Sequence, residues 1–188
     1  MKVYVMDNGG QWTHREWRVL RDLGIDTEIR RNDSPIESIS DADALVLSGG
    51  APSITYESFK LGNTGLYLDQ LKIPILGICI GAQYIGMHYG GKVGPAAHPE
   101  FGRVQITVAN KGSLLDGIPD EFYAWESHND EVKEIPDGFE LLASSSTCPI
   151  QAFSNDDTKR YGIQFHPEVE HTQFGEKIFR NFVELCVR

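Results

Sequence analysis

Cys79 lies in the stretch PILGICIGAQ, residues 74–83, between Gly77 and Gly81 at the end of an apolar run. A cysteine with glycines two residues away on each side has the form small-x-nucleophile-x-small, which is typical of a tight turn from a strand into a helix. Such a turn exposes the side chain at the carboxyl end of a sheet, where the following helix favours a thiolate. The pattern predicts a nucleophilic thiol. A buried structural cysteine in an ordinary strand–helix turn is the alternative that it leaves open.

A thiol that attacks a carbonyl group needs an oxyanion donor and a base. The backbone N–H of Ile80, directly after the cysteine, would face the developing oxyanion. The segment His166-Pro167-Glu168 supplies an imidazole followed two residues later by a carboxylate. In an extended chain these two side chains point to the same side, so Glu168 is expected to orient His166. Together with Cys79, they predict a Cys-His-Glu relay.

The same segment also offers a metal-binding alternative. The letters HPEVEH at 166–171 contain His166, Glu168, Glu170 and His171. This spacing matches no zinc motif, so no metal is expected. The three cysteines of the chain are widely spaced and include no Cys-x-x-Cys pair. A zinc knuckle or a disulfide framework is therefore not expected either.

The first half of the chain alternates short apolar strands with helices, which indicates a doubly wound α/β sheet. The predicted strands cover residues 2–6, 26–30, 44–47 and 73–78, and the predicted helices cover 11–23, 66–71 and 81–89. The strand before Cys79 is apolar on both faces, as a central parallel strand would be. The polar, glycine-rich residues 51–65 are predicted to form a loop.

The second half of the chain contains mainly strand-like segments separated by turn residues. They cover 104–108, 121–125, 140–143, 150–154 and 161–165, and a helix is predicted at 174–187. These strands are expected either to extend the sheet or to form a small flap. The predicted fold class is an open, twisted, mostly parallel mixed sheet with helices on both faces plus a small antiparallel sheet. The 188 residues are interpreted as one domain, 1–188.

Composition narrows the functional classes. The chain has 17 basic and 27 acidic residues and a formal charge of −10, which repels phosphate backbones, so nucleic-acid binding is not expected. No apolar run reaches the roughly 20 residues that span a bilayer. The N-terminus is typical of a first strand rather than of a secretion signal. We therefore expect a cytoplasmic protein that binds neither nucleic acid nor membrane.

Four motifs, in this order along the chain, resemble those of the class I (triad) glutamine amidotransferases. They are LSGGAPS at 47–53, GICIGAQ at 77–83, WESHND at 125–130 and GIQFHPE at 162–168. The resemblance covers nearly the whole chain, and it implies hydrolysis of L-glutamine to glutamate and ammonia through a cysteinyl thioester. It also implies that Cys79 is the nucleophile, His166 the general acid and base, and Glu168 its orienting carboxylate.

The resemblance further implies roles for residues around this triad. Gly50 and Ile80 would supply the two backbone N–H groups of the oxyanion hole. Gln83, Ser127 and His128 would bind the substrate. No cofactor is expected in this chain.

The opening MDNGGQWTHREWRVLRDLG and the WESHND motif are similar to the glutaminase domains of GMP synthases. No ATP pyrophosphatase sequence follows Arg188, so the resemblance implies a separate glutaminase subunit, an arrangement found in archaea. Its expected partner is the synthetase (ATP pyrophosphatase) subunit, which would use ATP, Mg²⁺ and ammonia to convert XMP to GMP. Asp130 is expected in a solvent-facing turn, where it would pair with a basic residue of that partner or remain an ordinary turn aspartate.

Three alternatives remain beside this interpretation. The first is the glutaminase component of another amidotransferase, such as anthranilate or aminodeoxychorismate synthase, which the opening motif disfavours. The second is a cysteine peptidase or γ-glutamyl hydrolase, since these share the elbow and the histidine. The third is a purely regulatory domain, which the intact Cys79, His166 and Glu168 disfavour.

Overall fold

The computed structural model describes residues 1–187, whose nine strands form one sheet in the order β2-β1-β3-β4-β9-β8-β7-β5-β6. The strands are β1 (Lys2–Asp7), β2 (Asp26–Arg31), β3 (Ala44–Leu47), β4 (Ile75–Ile78), β5 (Lys92–Val108), β6 (Glu121–Glu134), β7 (Glu140–Ser144), β8 (Ala152–Asn155) and β9 (Arg160–Ile163). The helices are α1 (Thr13–Asp22), α2 (Ile54–Glu57), α3 (Thr64–Gln70), α4 (Ile80–His88) and α5 (Gly175–Leu185), with 3-10 turns at Ile36–Ile39 and Ser58–Leu61. None of the helices in this part of the chain has both the length and the apolar character needed to cross a membrane.

The parallel half of the sheet consists of β2, β1, β3, β4 and β9. Its central strands β3 and β4 are apolar throughout, as expected of strands covered on both faces. Val3 and Val5 belong to one core, which includes Phe179 of α5, and Tyr4 belongs to the core on the other face. Since β4 lies between β3 and β9, the segments that follow these three strands meet at one edge of the sheet.

The antiparallel half of the sheet consists of β8, β7, β5 and β6, which continue from β9. The antiparallel strands therefore extend the sheet, the first of the two expected arrangements, instead of forming a separate flap. The hairpin of β5 and β6 contains an irregularity. Pro95 pairs with Asp130 and Glu100 with His128, so residues 96–99 bulge out opposite a single residue.

Most predicted elements lie within a few residues of the observed ones, and the differences are concentrated in three places. The predicted loop 51–65 contains α2, a 3-10 turn and the start of α3. Both β5 and β6 extend well beyond the predicted strands 104–108 and 121–125. Residues 94–102 contain two prolines and two glycines, which the β-bulge accommodates within the strand. Finally, β9 ends at Ile163, so the site histidine lies three residues beyond the strand.

Candidate active site

Cys79 occupies a sharp turn between β4, which ends at Ile78, and α4, which begins at Ile80. Its backbone has a φ of 52° and a ψ of −112°, a region that L-residues rarely adopt and in which strain is stored. A Cβ atom on Gly77 would overlap the carbonyl carbon of Gly81. The turn therefore closes only with glycine at position 77, as the sequence pattern predicts.

The thiol of Cys79 is buried and has two polar neighbours. The sulfur donates to the carbonyl oxygen of Ser127 over 3.8 Å, and the imidazole of His166 lines the same cavity wall beside it. The first N–H groups of α4, including that of Ile80, have no acceptor within the helix. These groups and the helix dipole favour negative charge on the sulfur and on a nearby substrate oxygen.

His166 and Glu168 form a buried hydrogen-bonded pair in the turn after β9. His166 Nδ1–H donates to Glu168 Oε1 over 2.6 Å. Burial by itself lowers the pKa of His166, but the charge and hydrogen bond of Glu168, together with the nearby Cys79, outweigh it and raise this pKa well above its ordinary value. Since Nδ1 is held by the carboxylate, Nε2 is the nitrogen that is left for the thiol.

Several contacts fix the His166 loop against the rest of the site. The His166 N–H donates to the Trp125 carbonyl oxygen over 2.9 Å. The Thr172 hydroxyl donates to the His166 carbonyl oxygen over 2.6 Å and accepts from the Trp125 N–H over 2.9 Å. The Trp12 ring packs edge-on against the imidazole, with 4.4 Å between the ring centroids. The imidazole is therefore oriented by its backbone, by Glu168 and by an aromatic wall.

The Gly49-Gly50 loop follows β3 and lies directly against Cys79 and His166. A Cβ atom on Gly49 would lie 3.0 Å from His166 Cε1 and 3.7 Å from the Cys79 Cβ atom. A Cβ atom on Gly50 would overlap the carbonyl oxygen of Asn8. The absence of side chains at these two positions lets the loop backbone come this close to the nucleophile.

A cavity of about 570 Å³ opens at this edge of the sheet, within the usual size range of small-molecule sites. All eight residues that the sequence singles out contribute to its wall: Cys79, His166, Glu168, Gly50, Ile80, Gln83, Ser127 and His128. The cavity thus brings together a thiol, an imidazole held by a carboxylate, and backbone N–H donors. Such a set can transfer an acyl group from an amide to the thiol.

Comparison with known proteins identifies the family. A family model described as glutamine amidotransferase class-I matches residues 4–186. The chain belongs to this family. It is 53% identical over 186 residues to a subunit of the glutamine-hydrolyzing GMP synthase of Thermoplasma volcanium, and the match covers 99% of this chain and 92% of the relative. The protein of the same name from Thermoplasma acidophilum is 54% identical over 186 residues, with 99% and 93% covered.

Solved structures agree with this family membership. A crystal structure of a protein from Thermoplasma acidophilum, described as a GMP synthase subunit, has a TM-score of 0.95 and 53% identity, covering 100% of this chain and 94% of that one. A glutamine amidotransferase from Thermotoga maritima has a TM-score of 0.83 at 17% identity, covering 100% and 98%. The second likeness shows the fold alone. The predicted class I glutamine amidotransferase fold is therefore confirmed.

In this class I amidotransferase, two of the predicted substrate-binding side chains already have protein partners. Gln83 Nε2 donates to the carbonyl oxygen of Asp130 over 2.7 Å and to Gln164 Oε1 over 3.1 Å. The two ring nitrogens of His128 lie 3.0 Å from the Asp130 carbonyl oxygen and 2.8 Å from Glu100 Oε2. Both side chains brace the cavity wall, and their contact with substrate stays a prediction.

Asp130 is buried, with 8% of its surface exposed, so the predicted solvent-facing turn is wrong. Its carboxylate accepts from the Ser53 hydroxyl over 2.6 Å and from the Ile54 N–H over 3.0 Å. The reason is that β6 continues past Trp125 to Glu134 and carries Asp130 inside the sheet. Asp130 therefore ties the segment after the Gly49-Gly50 loop to β6 and is not free to pair with a partner protein.

The residues of the metal-binding alternative are divided between the interior and the surface. His166 and Glu168 are buried, whereas Glu170 and His171 are exposed and lie 3.8 Å from each other. Among the described residues, the potential metal ligands that converge within 4.8 Å are instead Glu100, His128 and Cys148.

Two buried acids near the site have no role predicted from the sequence. Glu16 lies on the buried face of α1 and contributes to the cavity wall. The sequence contains one indication of Glu16: it lies four residues before Leu20, so it shares a helix face with buried residues. Glu126 is fully buried on β6, 3.5 Å from His128 Nε2. The sequence does not indicate it, because the predicted strand ends at Trp125.

Proposed function

We propose that this chain is the glutaminase subunit of a GMP synthase, which hydrolyses L-glutamine to glutamate and ammonia. The observation that carries the proposal is the strained turn of Cys79, whose thiol lines one cavity with an imidazole that Glu168 holds at 2.6 Å. The choice of GMP synthase is supported by relatives of that name at 53% and 54% identity across 99% of the chain.

The first half-reaction forms the thioester. The sulfur of Cys79 attacks the side-chain carbonyl carbon of glutamine while its proton passes to His166. The N–H groups of Gly50 and Ile80 stabilise the resulting oxyanion. His166 then protonates the leaving nitrogen, the C–N bond breaks, and ammonia departs from a γ-glutamyl thioester. Glu168 stabilises the charged imidazole and keeps it in one tautomer.

The second half-reaction releases glutamate. His166 takes a proton from a water molecule, which attacks the thioester carbonyl carbon. The same two N–H groups stabilise the second oxyanion. The C–S bond then breaks, glutamate leaves, and the sulfur of Cys79 regains a proton from His166. One histidine thus serves as base and acid in both steps.

The ammonia is passed to a separate synthetase subunit, which we propose binds ATP and Mg²⁺ and converts XMP to GMP. Ammonia is released from Cys79 at the carboxyl edge of the parallel strands. The partner is therefore expected to cover this edge. We also propose that both proteins act in the cytoplasm.

The Cys79→Ala substitution tests the nucleophile. It is expected to abolish glutamate release, because a methyl group cannot form the thioester. The assay measures glutamate release from glutamine in the presence of the synthetase subunit, ATP and XMP. With ammonium in place of glutamine, the same mixture should still make GMP, because only the source of ammonia is lost.

Cys186→Ala is the matched control for this substitution. The Cys186 thiol lies at the end of α5 and donates to the Phe182 carbonyl oxygen over 3.3 Å, so its loss should leave glutamate release intact. A wild-type rate for Cys79→Ala would contradict the assigned nucleophile. Glutamine hydrolysis without any GMP formation would instead point to the glutaminase of another pathway.

A further inference from the structure

Glu16 is a buried acid that the proposed reaction does not use. It shares the buried face of α1 with Thr13 and Leu20, and 1% of its surface is exposed. Its Oε1 atom accepts from the Gly49 N–H over 3.2 Å, while Oε2 has no hydrogen-bond partner among residues 1–187. An ionised carboxylate with a single contact is costly to bury. Its position beside the cavity therefore calls for a physical reason.

The surroundings of Glu16 favour the neutral carboxylic acid. Burial raises the pKa of Glu16 well above its ordinary value, and the nearby charge of Glu168 raises it further, although the Gly49 N–H and His166 act in the opposite direction. Glu168 Oε2 also lacks a hydrogen-bond partner among residues 1–187. A proton on Glu16 thus keeps a second negative charge away from the carboxylate that orients His166.

Gly49 connects Glu16 to the chemistry. It lies in contact distance of His166 and Cys79, and its own carbonyl group belongs to the same peptide as the N–H of Gly50. The Ser48 hydroxyl donates to this carbonyl oxygen over 2.7 Å. Because the peptide is planar and trans, holding the carbonyl oxygen also sets the direction of the Gly50 N–H. Glu16 fixes the preceding N–H, so the loop is held on both sides of Gly49.

We propose that Glu16 is a positioning residue of the glutaminase site: as a neutral acid, it holds Gly49 and the loop that follows against Cys79 and His166. The inference rests on the proposed function, since it assigns Glu16 a part in the same reaction. An ionised Glu16 would still accept the Gly49 N–H. It would also place a negative charge near the oxyanion and hold His166 more firmly in its charged form, so turnover would fall.

The titratable groups that face Glu16 come from two neighbouring segments. Cys79 comes from the turn before α4, and His166 and Glu168 come from the turn after β9. The loop after β3 presents the backbone N–H of Gly49 to it. Since the other three groups remain in every variant of Glu16, a change in the pH profile on replacing Glu16 by its amide comes from the lost ionisation of Glu16, acting directly or through these three neighbours.

Glu16→Gln and Glu16→Leu separate the two parts of the proposal. Glutamine keeps an oxygen for the Gly49 N–H and cannot ionise, so kcat near neutral pH should stay close to the wild-type value. The alkaline decline of its pH profile should move to higher pH. Leucine offers no acceptor, so kcat should fall by about 10- to 100-fold while KM changes less, because the loop acts on the transition state. Asp22→Asn, an exposed acid on the same helix, is the control that should leave the profile unchanged.

The measurements are pH profiles of glutamate release with the synthetase subunit, ATP and XMP, and thermal unfolding shows that each variant is folded. An unchanged alkaline decline in Glu16→Gln would overturn the neutral-acid part, and a wild-type kcat in Glu16→Leu would overturn the positioning part. Glu16→Met replaces the leucine variant if the latter does not fold. Either failure leaves the proposed function intact, as long as the wild type hydrolyses glutamine and Cys79→Ala does not.

Discussion

In the proposed mechanism, both half-reactions depend on His166, whose ring has a different neighbour on each side. Glu168 holds Nδ1 at 2.6 Å, Cys79 shares the cavity wall with the ring, and the Trp12 ring packs against it at 4.4 Å. In this mechanism the ring moves protons, whereas Glu168 orients it and stabilises its charge. Removing the ring and neutralising the carboxylate should therefore have unequal effects.

His166→Ala is expected to lower kcat for glutamine hydrolysis by about 10²- to 10⁴-fold, since it removes the general acid and base. Glu168→Gln should be milder, because the amide oxygen still accepts from Nδ1–H and only the charge is lost. Steady-state glutamate release with the synthetase subunit measures both. If Glu168→Gln proves the more damaging of the two folded variants, the assigned division of roles is wrong.

The residues of this site differ in how far the sequence predicts them. The Cys79 turn and the His166–Glu168 pair are each encoded within a few consecutive residues. The sequence therefore predicts each of them from a local pattern. The contact of Glu16 with Gly49 joins residues 33 positions apart, and that of Asp130 with Ser53 spans 77 positions. No local pattern encodes such contacts, because they arise only when helices and strands pack together.

The β6 strand determines much of the interior beside the site, since it sends alternate side chains inward. Glu126, His128 and Asp130 are all buried on it. His128 Nε2 lies 2.8 Å from Glu100 of β5, which also accepts from Gln151 over 2.7 Å. The sequence predicts only the first five residues of β6, because the polar letters after Trp125 do not resemble a buried strand. These polar residues are accommodated because the neighbouring strand β5 supplies hydrogen-bond partners, such as Glu100 for His128.

Glu126 is the least compensated acid on this strand. Neither of its carboxylate oxygens has a hydrogen-bond partner of normal geometry among residues 1–187. Burial raises the pKa of Glu126 well above its ordinary value of 4.5, and the charge of Glu100 adds to the effect. At a pH above 4.5, the pKa of Glu126 in the unfolded chain, the folded protein keeps the proton on Glu126 while the unfolded chain releases it. The free energy of unfolding therefore falls as the pH rises from 4.5 toward the folded pKa.

Glu126→Gln is expected to remove this penalty, so the variant should have a higher Tm than the wild type near neutral pH. The difference should shrink as the pH falls toward 4.5, because the wild-type acid is then neutral in both states. Thermal unfolding as a function of pH measures it. Glu134→Gln, on an exposed part of the same strand, is the matched control and should lack this trend. A Tm difference that does not change with pH would contradict the explanation.

The surface around the cavity mouth suggests where a partner binds. Tyr56 and Phe101 are 76% and 62% exposed, and both contribute to the cavity wall. Exposed aromatic side chains that cluster at one face often mark a protein interface. This face also lies at the carboxyl edge, where ammonia leaves Cys79. We therefore expect the synthetase subunit to bind here.

Partner binding is expected to control the rate of the glutaminase. The free chain should hydrolyse glutamine slowly and accelerate when the synthetase subunit binds with ATP and XMP. The direction of the Gly50 N–H depends on the bond from Ser48 to the Gly49 carbonyl oxygen, which a partner at this edge can shift. One oxyanion donor is typically worth about 10²–10³ in kcat. Steady-state glutamate release by the free chain and by the mixture gives the activation ratio.

Asp130→Ala tests whether this control acts through the loop. The carboxylate of Asp130 holds Ser53 and Ile54, just after the loop. Its loss frees the far end of the loop, so the partner can no longer fix the Gly50 N–H firmly, and the activation ratio should fall. Equal turnover by the wild-type chain alone and in the mixture would mean that the oxyanion hole is already formed. If Asp130→Ala keeps the wild-type activation ratio, the partner still controls the rate, but Asp130 is not the anchor. The position of the loop would then depend on the contacts that Ser48 and Glu16 make with Gly49.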